Sequence, residues 1–218
     1  MTRRVVQLIL GLALYGAGDG LMIHAGFGLD PWTVFAQGLA LHTGIGVGWI
    51  TNIVGLLVLL LWIPLRQKPG IGTIANILLV GTAMQVTIVL LPEVESLVLR
   101  VVLFVTGILL VALASGLYIG AHFGPGPRDG LMVGMHARLG WPIWLCRGTV
   151  EMTVLVVGWL LGGTVGIGTL VFAFGIGPLV GLTLPLLDTR RPASASRNPH
   201  TGRREPSTVG YPAGGGDR

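Results

Sequence analysis

The chain has 218 residues, of which 52% are hydrophobic and only 11% are charged. Because soluble globular domains carry about 25% charged residues, this composition excludes an ordinary soluble protein and predicts a polytopic membrane protein. The net charge of +5 comes from basic residues near the C-terminus and at the ends of apolar segments. That distribution indicates topology signals and contact with the lipid bilayer, and no nucleic-acid partner is predicted. The single cysteine excludes an intrachain disulfide.

Six apolar segments are long enough to cross a hydrocarbon core of about 30 Å. In chain order they are residues 5–25, 47–65, 71–91, 97–121, 143–161 and 167–187. The first segment is too long for a signal peptide and lacks a cleavage site, so we predict that it is retained as a span. Two further segments, 31–43 and 127–139, are predicted to form helices of about 20 Å, too short to span.

A break rich in glycine and proline precedes each short helix, FGLDPW at 27–32 and FGPGPR at 123–128. Asp30 is predicted to cap the first short helix by accepting hydrogen bonds from free backbone amides. Pro31 suits the first helical position, where a missing N–H has no cost. Asp129 stands in the first turn of the second short helix, where a carboxylate favours the positive end of the helix dipole.

The second half of the chain repeats the first at a shift of 96 residues, without a gap. In this register FGLDP at 27–31 aligns with FGPGP at 123–127, and the sequence GIGT occurs both at 70–73 and at 166–169. Self-similarity of this kind is typical of structural repeats. We therefore predict an internal duplication.

The duplication and the composition divide the chain into two parts. Residues 1–188 form a predicted transmembrane domain, with one repeat at about 5–92 and the other at about 97–188. From Asp188 onward apolar residues almost vanish, and proline, glycine, serine and arginine dominate. Residues 189–218 are therefore predicted to be a disordered basic tail on the cytoplasmic side.

The orientation of the repeats depends on the two short helices. If they cross the membrane, each repeat has four spans and the repeats are parallel; if they re-enter, each has three spans and the second is inverted. With six spans and a cytoplasmic N-terminus, four basic residues lie on the cytoplasmic side: Arg66, Lys68, Arg128 and Arg138. Because positive loops favour the cytoplasm, we expect an all-α bundle of six spans plus two short re-entrant helices in inverted repeats. Eight helices in parallel repeats is the alternative.

Three motifs carry a resemblance to a known family: LDPW at 29–32, GPGPRDG at 124–130 and GTVGIGT at 163–169. The chain resembles the YczE/YitT-like bacterial integral membrane proteins, most closely the YczE branch, over about residues 5–190. The resemblance implies a multi-pass protein of the bacterial inner (plasma) membrane. It implies no activity and no catalytic or binding residue. With six spans, both termini are expected to be cytoplasmic.

No motif for a nucleophilic triad, a zinc site, a redox thiol pair or a nucleotide site occurs, so no enzyme, no metal and no cofactor is predicted. The candidate functional residues are ionisable groups at membrane depth or at the breaks, because charge there is costly and usually faces a bundle interior or a wet cavity. The substrate-path candidates are Asp19, Asp30, Arg128, Asp129, Arg147 and Glu151.

Some of these groups have a structural interpretation as well. Arg147 and Glu151 stand four residues apart on one helix face and could simply neutralise each other. Asp19 has no partner on its own helix, and Arg128 is its candidate partner across the bundle. Three amide side chains could bridge helices or line a path: Asn52, Asn76 and Gln85.

Inverted repeats with broken helices at equivalent positions point to a site between the halves. We therefore expect a transporter or permease-like protein for an unknown small molecule or ion, with a homodimer as a possible assembly. The alternative is a non-transporting membrane accessory or scaffold protein for a biosynthetic or regulatory partner, bound through the cytoplasmic loops and the basic tail.

Overall fold

The computed structural model describes residues 1–189 and contains only α-helices over that range. They are α1 Thr2–Ala25, α2 Pro31–Thr43, α3 Val47–Leu65, α4 Ile71–Leu90, α5 Leu97–Gly120, α6 Pro127–Leu139, α7 Ile143–Leu160 and α8 Ile167–Leu187. The predicted all-α fold is confirmed. The tail predicted at 189–218 lies outside the described residues, apart from Thr189.

Within residues 1–189, six helices are long and apolar enough to cross a membrane: α1, α3, α4, α5, α7 and α8. The other two, α2 and α6, have 13 residues each. The six long helices and the two short ones therefore have the positions that the sequence predicts.

The first helix begins earlier than the apolar pattern suggests, at Thr2 rather than at residue 5. The reason is that Arg4 has a structural role in the bundle. Its guanidinium donates hydrogen bonds to the carbonyl oxygens of Ala121 (2.9 Å) and His122 (3.1 Å) and lies over the Phe123 ring. Arg4 therefore belongs to the helix and ties its first turn to the second break.

The core of the bundle is α1, which packs along α5 on one side and along α4 on the other. Glycines allow the close approach: a methyl group on Gly18 would lie 2.8 Å from the Gly107 carbonyl oxygen of α5, and one on Gly16 would overlap the Val80 carbonyl of α4. Small residues at helix crossings let backbones touch, which is the main source of packing energy between membrane helices.

The helix pairs of the two halves correspond at the 96-residue shift. The pair α1 and α4 corresponds to the pair α5 and α8, and the pair α2 and α7 corresponds to α6 and α3. Each short helix thus packs on a helix of the other half, so the halves are interleaved rather than side by side.

Equivalent hydrogen bonds also join each break to the other half. Gly168 donates its backbone N–H to the Phe27 carbonyl oxygen (2.8 Å), and Gly72 donates to that of Phe123 (3.0 Å). The irregular backbone of each break is therefore satisfied inside the protein, as it must be at membrane depth.

The α3–α4 seam is the line of contact between these two helices, and it is closed. The backbones touch at Gly48 and Gly81, where a methyl group on either glycine would overlap the other helix. Two side chains join the helices as well: Asn52 donates to the Thr82 hydroxyl (3.1 Å), and Gln85 accepts from the Gly48 amide (3.1 Å).

The α7–α8 seam, its counterpart in the second half, is not closed. Within the described residues, α7 packs on α2 and α6 whereas α8 packs on α5, and no comparable packing joins α7 to α8. A methyl group on Gly148 of α7, or on Gly177 or Gly181 of α8, would meet no other atom within 4 Å. The two halves therefore differ at this one seam.

Candidate functional site

A central cavity of about 420 Å³ lies in the bundle, and residues of all eight helices line it. The first turns of both short helices open onto it, through Pro31 and Pro127. Its wall also includes α7 at Glu151 and α8 at Phe172, so the cavity lies between the two helices of the open seam. Irregular backbone at membrane depth is found where it lines such a cavity.

Five of the six candidate residues line this cavity: Asp30, Arg128, Asp129, Arg147 and Glu151. They come from the two breaks and from α7, parts of the chain that are far apart in sequence. The sixth, Asp19, lies outside the lining, one turn beyond the cavity residue Tyr15 on α1.

Asp30 caps α2, as the sequence predicts. Its Oδ1 accepts hydrogen bonds from the backbone amides of Trp32 (3.1 Å) and Thr33 (3.3 Å). The same atom lies 3.4 Å from Nη1 of Arg128, so the carboxylate also links the start of α2 to the start of α6. Only 4% of Asp30 is exposed. Arg128 therefore balances the charge of this buried carboxylate, and all three contacts are made by Oδ1.

Arg128 lies between two partners from the first break. Its guanidinium pairs with Asp30 and stacks over the Trp32 ring, 5.0 Å from the ring centre. Arg128 makes no hydrogen bond to Asp19, its candidate partner from the sequence; its ion pair is with Asp30, the cap of α2.

Asp129 has a different environment from Asp30. It makes no capping hydrogen bond to the first turn of α6. Its Oδ2 accepts a hydrogen bond from the Tyr118 hydroxyl at 2.9 Å, and the Tyr118 ring meets Tyr15 edge-on, with centroids 6.2 Å apart. Within residues 1–189, no basic side chain forms an ion pair with Asp129. Among the described residues, the Tyr118 hydroxyl is therefore its only hydrogen-bond partner, and Arg147 is near enough to interact with it electrostatically.

Arg147 and Glu151 form the ion pair that their spacing predicts, with Nε and Oε1 2.9 Å apart. The pair is partly exposed and lies on the α7 side of the cavity. It balances its own charge, so it leaves the net charge of the wall unchanged.

Asp19 is 1% exposed, and neither of its carboxyl oxygens has a hydrogen-bond partner among the described residues. Asp30 and Arg128 are near enough to interact with it electrostatically. A buried acidic group without a partner is unfavourable for folding, so its presence in α1 needs another explanation.

Three aromatic residues line the cavity that were not among the residues predicted from the sequence: Tyr15, Tyr118 and Trp32. Trp32 had a signal, because it belongs to the LDPW motif and aligns with Arg128 in the repeat. No spacing links Tyr118 to Asp129, because they come from different helices. Of the three amides left open, Asn76 lines the cavity, whereas Asn52 and Gln85 bridge α3 and α4.

Comparison with known proteins places the chain in a family. DUF6198, described as a family of unknown function, matches residues 2–185. An "Uncharacterized protein" of Haemophilus influenzae is 39% identical over 151 residues, which cover 69% of each chain. The "Uncharacterized membrane protein YczE" of Bacillus subtilis is 31% identical over 151 residues, covering 68% of this chain and 70% of the relative. No solved structure matches the chain significantly.

The resemblance to the YczE-like proteins is thereby confirmed. The match to the family extends from the second residue to the last turns of α8, so it includes both breaks and the whole wall of the central cavity. The chain therefore belongs to the DUF6198 family and is a membrane protein with six apolar helices of spanning length among its described residues.

Proposed function

We propose that the protein is a transporter or permease-like membrane protein that binds a small solute in the central cavity. The observation that supports this is the cavity itself, of about 420 Å³, whose wall carries guanidinium and carboxylate groups from both halves. Charged groups at membrane depth are costly and commonly mark the paths of substrates and ions. A purely structural role does not explain why charged side chains surround an open cavity, since they add a desolvation cost without packing.

Inverted repeats are the arrangement that we propose for the bundle. Equivalent hydrogen bonds at Gly72 and Gly168, and equivalent helix pairs, support a duplication. Each half has three helices of spanning length and one short helix. Because three spans reverse the direction of the chain, re-entrant short helices give the second half the opposite orientation. Many secondary transporters have inverted repeats with discontinuous helices near the middle of the membrane.

The difference between the two seams supports a cycle of alternating access. In inverted repeats the halves exchange conformations, and the site between them opens first to one side and then to the other. In this state the α7–α8 seam is open and the α3–α4 seam is closed. In the opposite state α7 closes onto α8 while α3 separates from α4. We place the protein in the bacterial inner membrane with both termini in the cytoplasm, because this puts most basic loop residues inside.

Flux through the purified protein tests the proposal. The full chain is reconstituted into liposomes, and uptake of pooled labelled small solutes is compared between the wild type and Asp19→Asn. The variant keeps the shape of a side chain that has no hydrogen-bond partner among the described residues, so it should fold and insert normally. It removes the buried acidic group, and we expect solute uptake to fall more than about tenfold if that group carries charge during the cycle. Equal uptake by wild type and variant, at equal protein content, would contradict the role of Asp19.

The alternative of a non-transporting accessory protein makes an opposite prediction. In that case the polar residues of the bundle only pack, and no solute is taken up by the wild type beyond empty liposomes. Asp129 argues against this alternative, because a carboxylate paired only with a tyrosine hydroxyl contributes little to packing.

A further inference from the structure

We propose that the solute bound in the central cavity is a small organic monocation, an amine or ammonium compound, and that the Asp129 carboxylate binds its positive charge. This inference rests on the proposed function for its biological meaning, but the binding itself can be measured separately.

The charge of the cavity wall is the first support. Among residues 1–189, the wall has two guanidinium groups and three carboxylates, and no lysine or histidine lines it. Arg128 pairs with Asp30, and Arg147 pairs with Glu151. The third carboxylate, that of Asp129, remains, so the ionised wall has one negative charge in excess. A cationic solute would balance that charge, whereas an anion would add to it.

The hydrogen bonds of Asp30 and Asp129, the carboxylates of the two breaks, also favour Asp129 as the cation-binding residue. Asp30 accepts two backbone amides and the Arg128 guanidinium, all on Oδ1, so an arginine already balances its negative charge. Asp129 receives only the Tyr118 hydroxyl, and its other oxygen has no hydrogen-bond partner among the described side chains. An ammonium group would supply the missing donors, and such charge-assisted hydrogen bonds are about twice as strong as neutral ones.

The size and the lining of the cavity favour an organic cation over an inorganic one. A water molecule takes up about 30 Å³ of liquid, so a cavity of about 420 Å³ is far too large to hold a bare metal ion closely. Tyr15 and Tyr118 line it beside Asp129, and aromatic rings attract organic cations through their faces. Trp32 is a third aromatic residue of the wall, and the Arg128 guanidinium already lies over its ring.

Asp129 also lies where a solute would pass. A second cavity, lined in part by His122 and Pro125 of the second break, shares Tyr118 and Asp129 with the central one. Asp129 therefore borders both spaces. A cation that moves from one to the other meets Asp129 on the way.

Ligand binding to the detergent-purified full-length protein tests the inference. The probes are propylammonium chloride and tetramethylammonium chloride, with sodium chloride at the same ionic strength as the inorganic control. We expect an organic cation to raise the thermal unfolding temperature above the value in sodium chloride, and calorimetric titration then gives its affinity. An equal shift in sodium chloride would overturn the inference.

Two variants at Asp129 make the test specific. Asp129→Asn removes the charge with little change of shape, and binding should weaken at least about tenfold, as expected for loss of a charged hydrogen-bond partner. Asp129→Glu keeps the charge and should bind within about tenfold of the wild type. Glu93→Gln is the matched control, because it removes one negative charge from an exposed loop outside the cavity. Wild-type affinity in Asp129→Asn would overturn the assignment.

The same proteins in liposomes separate this inference from the proposed function. Binding of an organic cation without flux would sustain the cation site and contradict transport. Flux of another solute, with no binding of either organic cation, would sustain transport and contradict the cation site. If Asp129→Asn does not purify as a monodisperse protein, the comparison of Asp129→Glu with Glu93→Gln still decides, since loss of binding in both would overturn the specific role of Asp129.

Discussion

The α3–α4 seam and the α7–α8 seam occupy equivalent places in the two halves, yet only the first is closed. On the closed side, glycine backbones touch and two hydrogen bonds join the helices. On the open side, the equivalent glycine Gly177 faces the central cavity. The open side coincides with the central cavity of about 420 Å³, so the asymmetry extends beyond a local packing defect.

Part of this asymmetry follows from sequence differences between the two seams. At the 96-residue shift, Asn52 aligns with Gly148 and Thr82 aligns with Pro178. The hydrogen bond across the first seam therefore has no equivalent across the second, because neither residue of the second pair has a polar side chain. The glycine contact of the first seam is not repeated either, because Gly48 of α3 aligns with Trp144 of α7. We infer that the state with α7 and α8 apart is the more stable one.

The cavity side of the two seams differs in the same way. Thr51 and Gly55 of α3 correspond to Arg147 and Glu151 of α7. Small residues on α3 permit close packing against α4, whereas the ion pair on α7 holds two large charged side chains at the cavity wall. Closure of the α7–α8 seam must therefore bury that pair or turn it towards a bound solute.

The largest expected effect comes from cross-linking the closed seam. With Cys146 replaced by serine, Asn52→Cys and Thr82→Cys place thiols where two side chains now share a 3.1 Å hydrogen bond. A short thiol cross-linker should join them and prevent α3 from leaving α4. We expect solute flux in liposomes to fall more than about tenfold, since alternating access requires this seam to open, and to recover when a cleavable linker is reduced.

The matched pair lies at the equivalent positions of the open seam. Gly148→Cys and Pro178→Cys should react with the same linker much more slowly, because α7 and α8 are apart in this state. Equal reaction of both pairs would show that the seams do not differ in solution. Undiminished flux after complete cross-linking at 52 and 82 would rule out the opening of the α3–α4 seam as a step of the cycle.

The sequence predicts the helices well and the seams poorly. Proline, glycine and apolar length mark most of the helix ends, although α1 begins three residues before its apolar segment, and the cap at Asp30 follows from local chemistry. The position of five charged candidates around one cavity also agrees with the sequence argument, because charged side chains at membrane depth usually face the bundle interior or a water-filled cavity. The partner of Arg128 and the hydrogen bond from Tyr118 to Asp129 depend on how helices of different halves face each other, which no local pattern encodes. The open seam is visible only in part: Gly81 aligns with Gly177, but its contact partner Gly48 aligns with Trp144, and the effect of that side chain on the packing of α7 and α8 depends on the fold.

A second, smaller effect is expected from adding one methyl group to each seam. Gly81→Ala would push the methyl into the Gly48 carbonyl and the Asn52 side chain, and overpacking of this kind costs about 1–3 kcal/mol of folding free energy. Gly177→Ala meets no atom within 4 Å, so its thermal unfolding should match the wild type. Unfolding of the two detergent-purified variants, followed side by side, measures the difference.

Solute flux in liposomes containing Gly81→Ala or Gly177→Ala tests whether the α7–α8 seam closes during the cycle. Gly177→Ala should fold normally but transport more slowly, because the methyl group obstructs the closed form of the α7–α8 seam. If Gly81→Ala and Gly177→Ala lowered the unfolding temperature equally, the second seam would be closed in the ground state. That outcome would remove the structural basis for alternating access.

The smallest effect is expected from the hydrogen bond across the closed seam. Asn52→Leu removes the bond to Thr82 while keeping a side chain of similar size. Hydrogen bonds between membrane helices contribute about 0.6 kcal/mol on average, so the fraction of molecules with this seam open should rise about threefold. Spin labels on the exposed positions Ile53 of α3 and Leu78 of α4 report the opening as a longer distance between the labels.

Thr153→Val is the control, because that hydroxyl bonds only within its own helix, and it should leave the distance distribution unchanged. A distribution in Asn52→Leu identical to the wild type would show that backbone packing at Gly48 and Gly81 closes the seam without help from this bond.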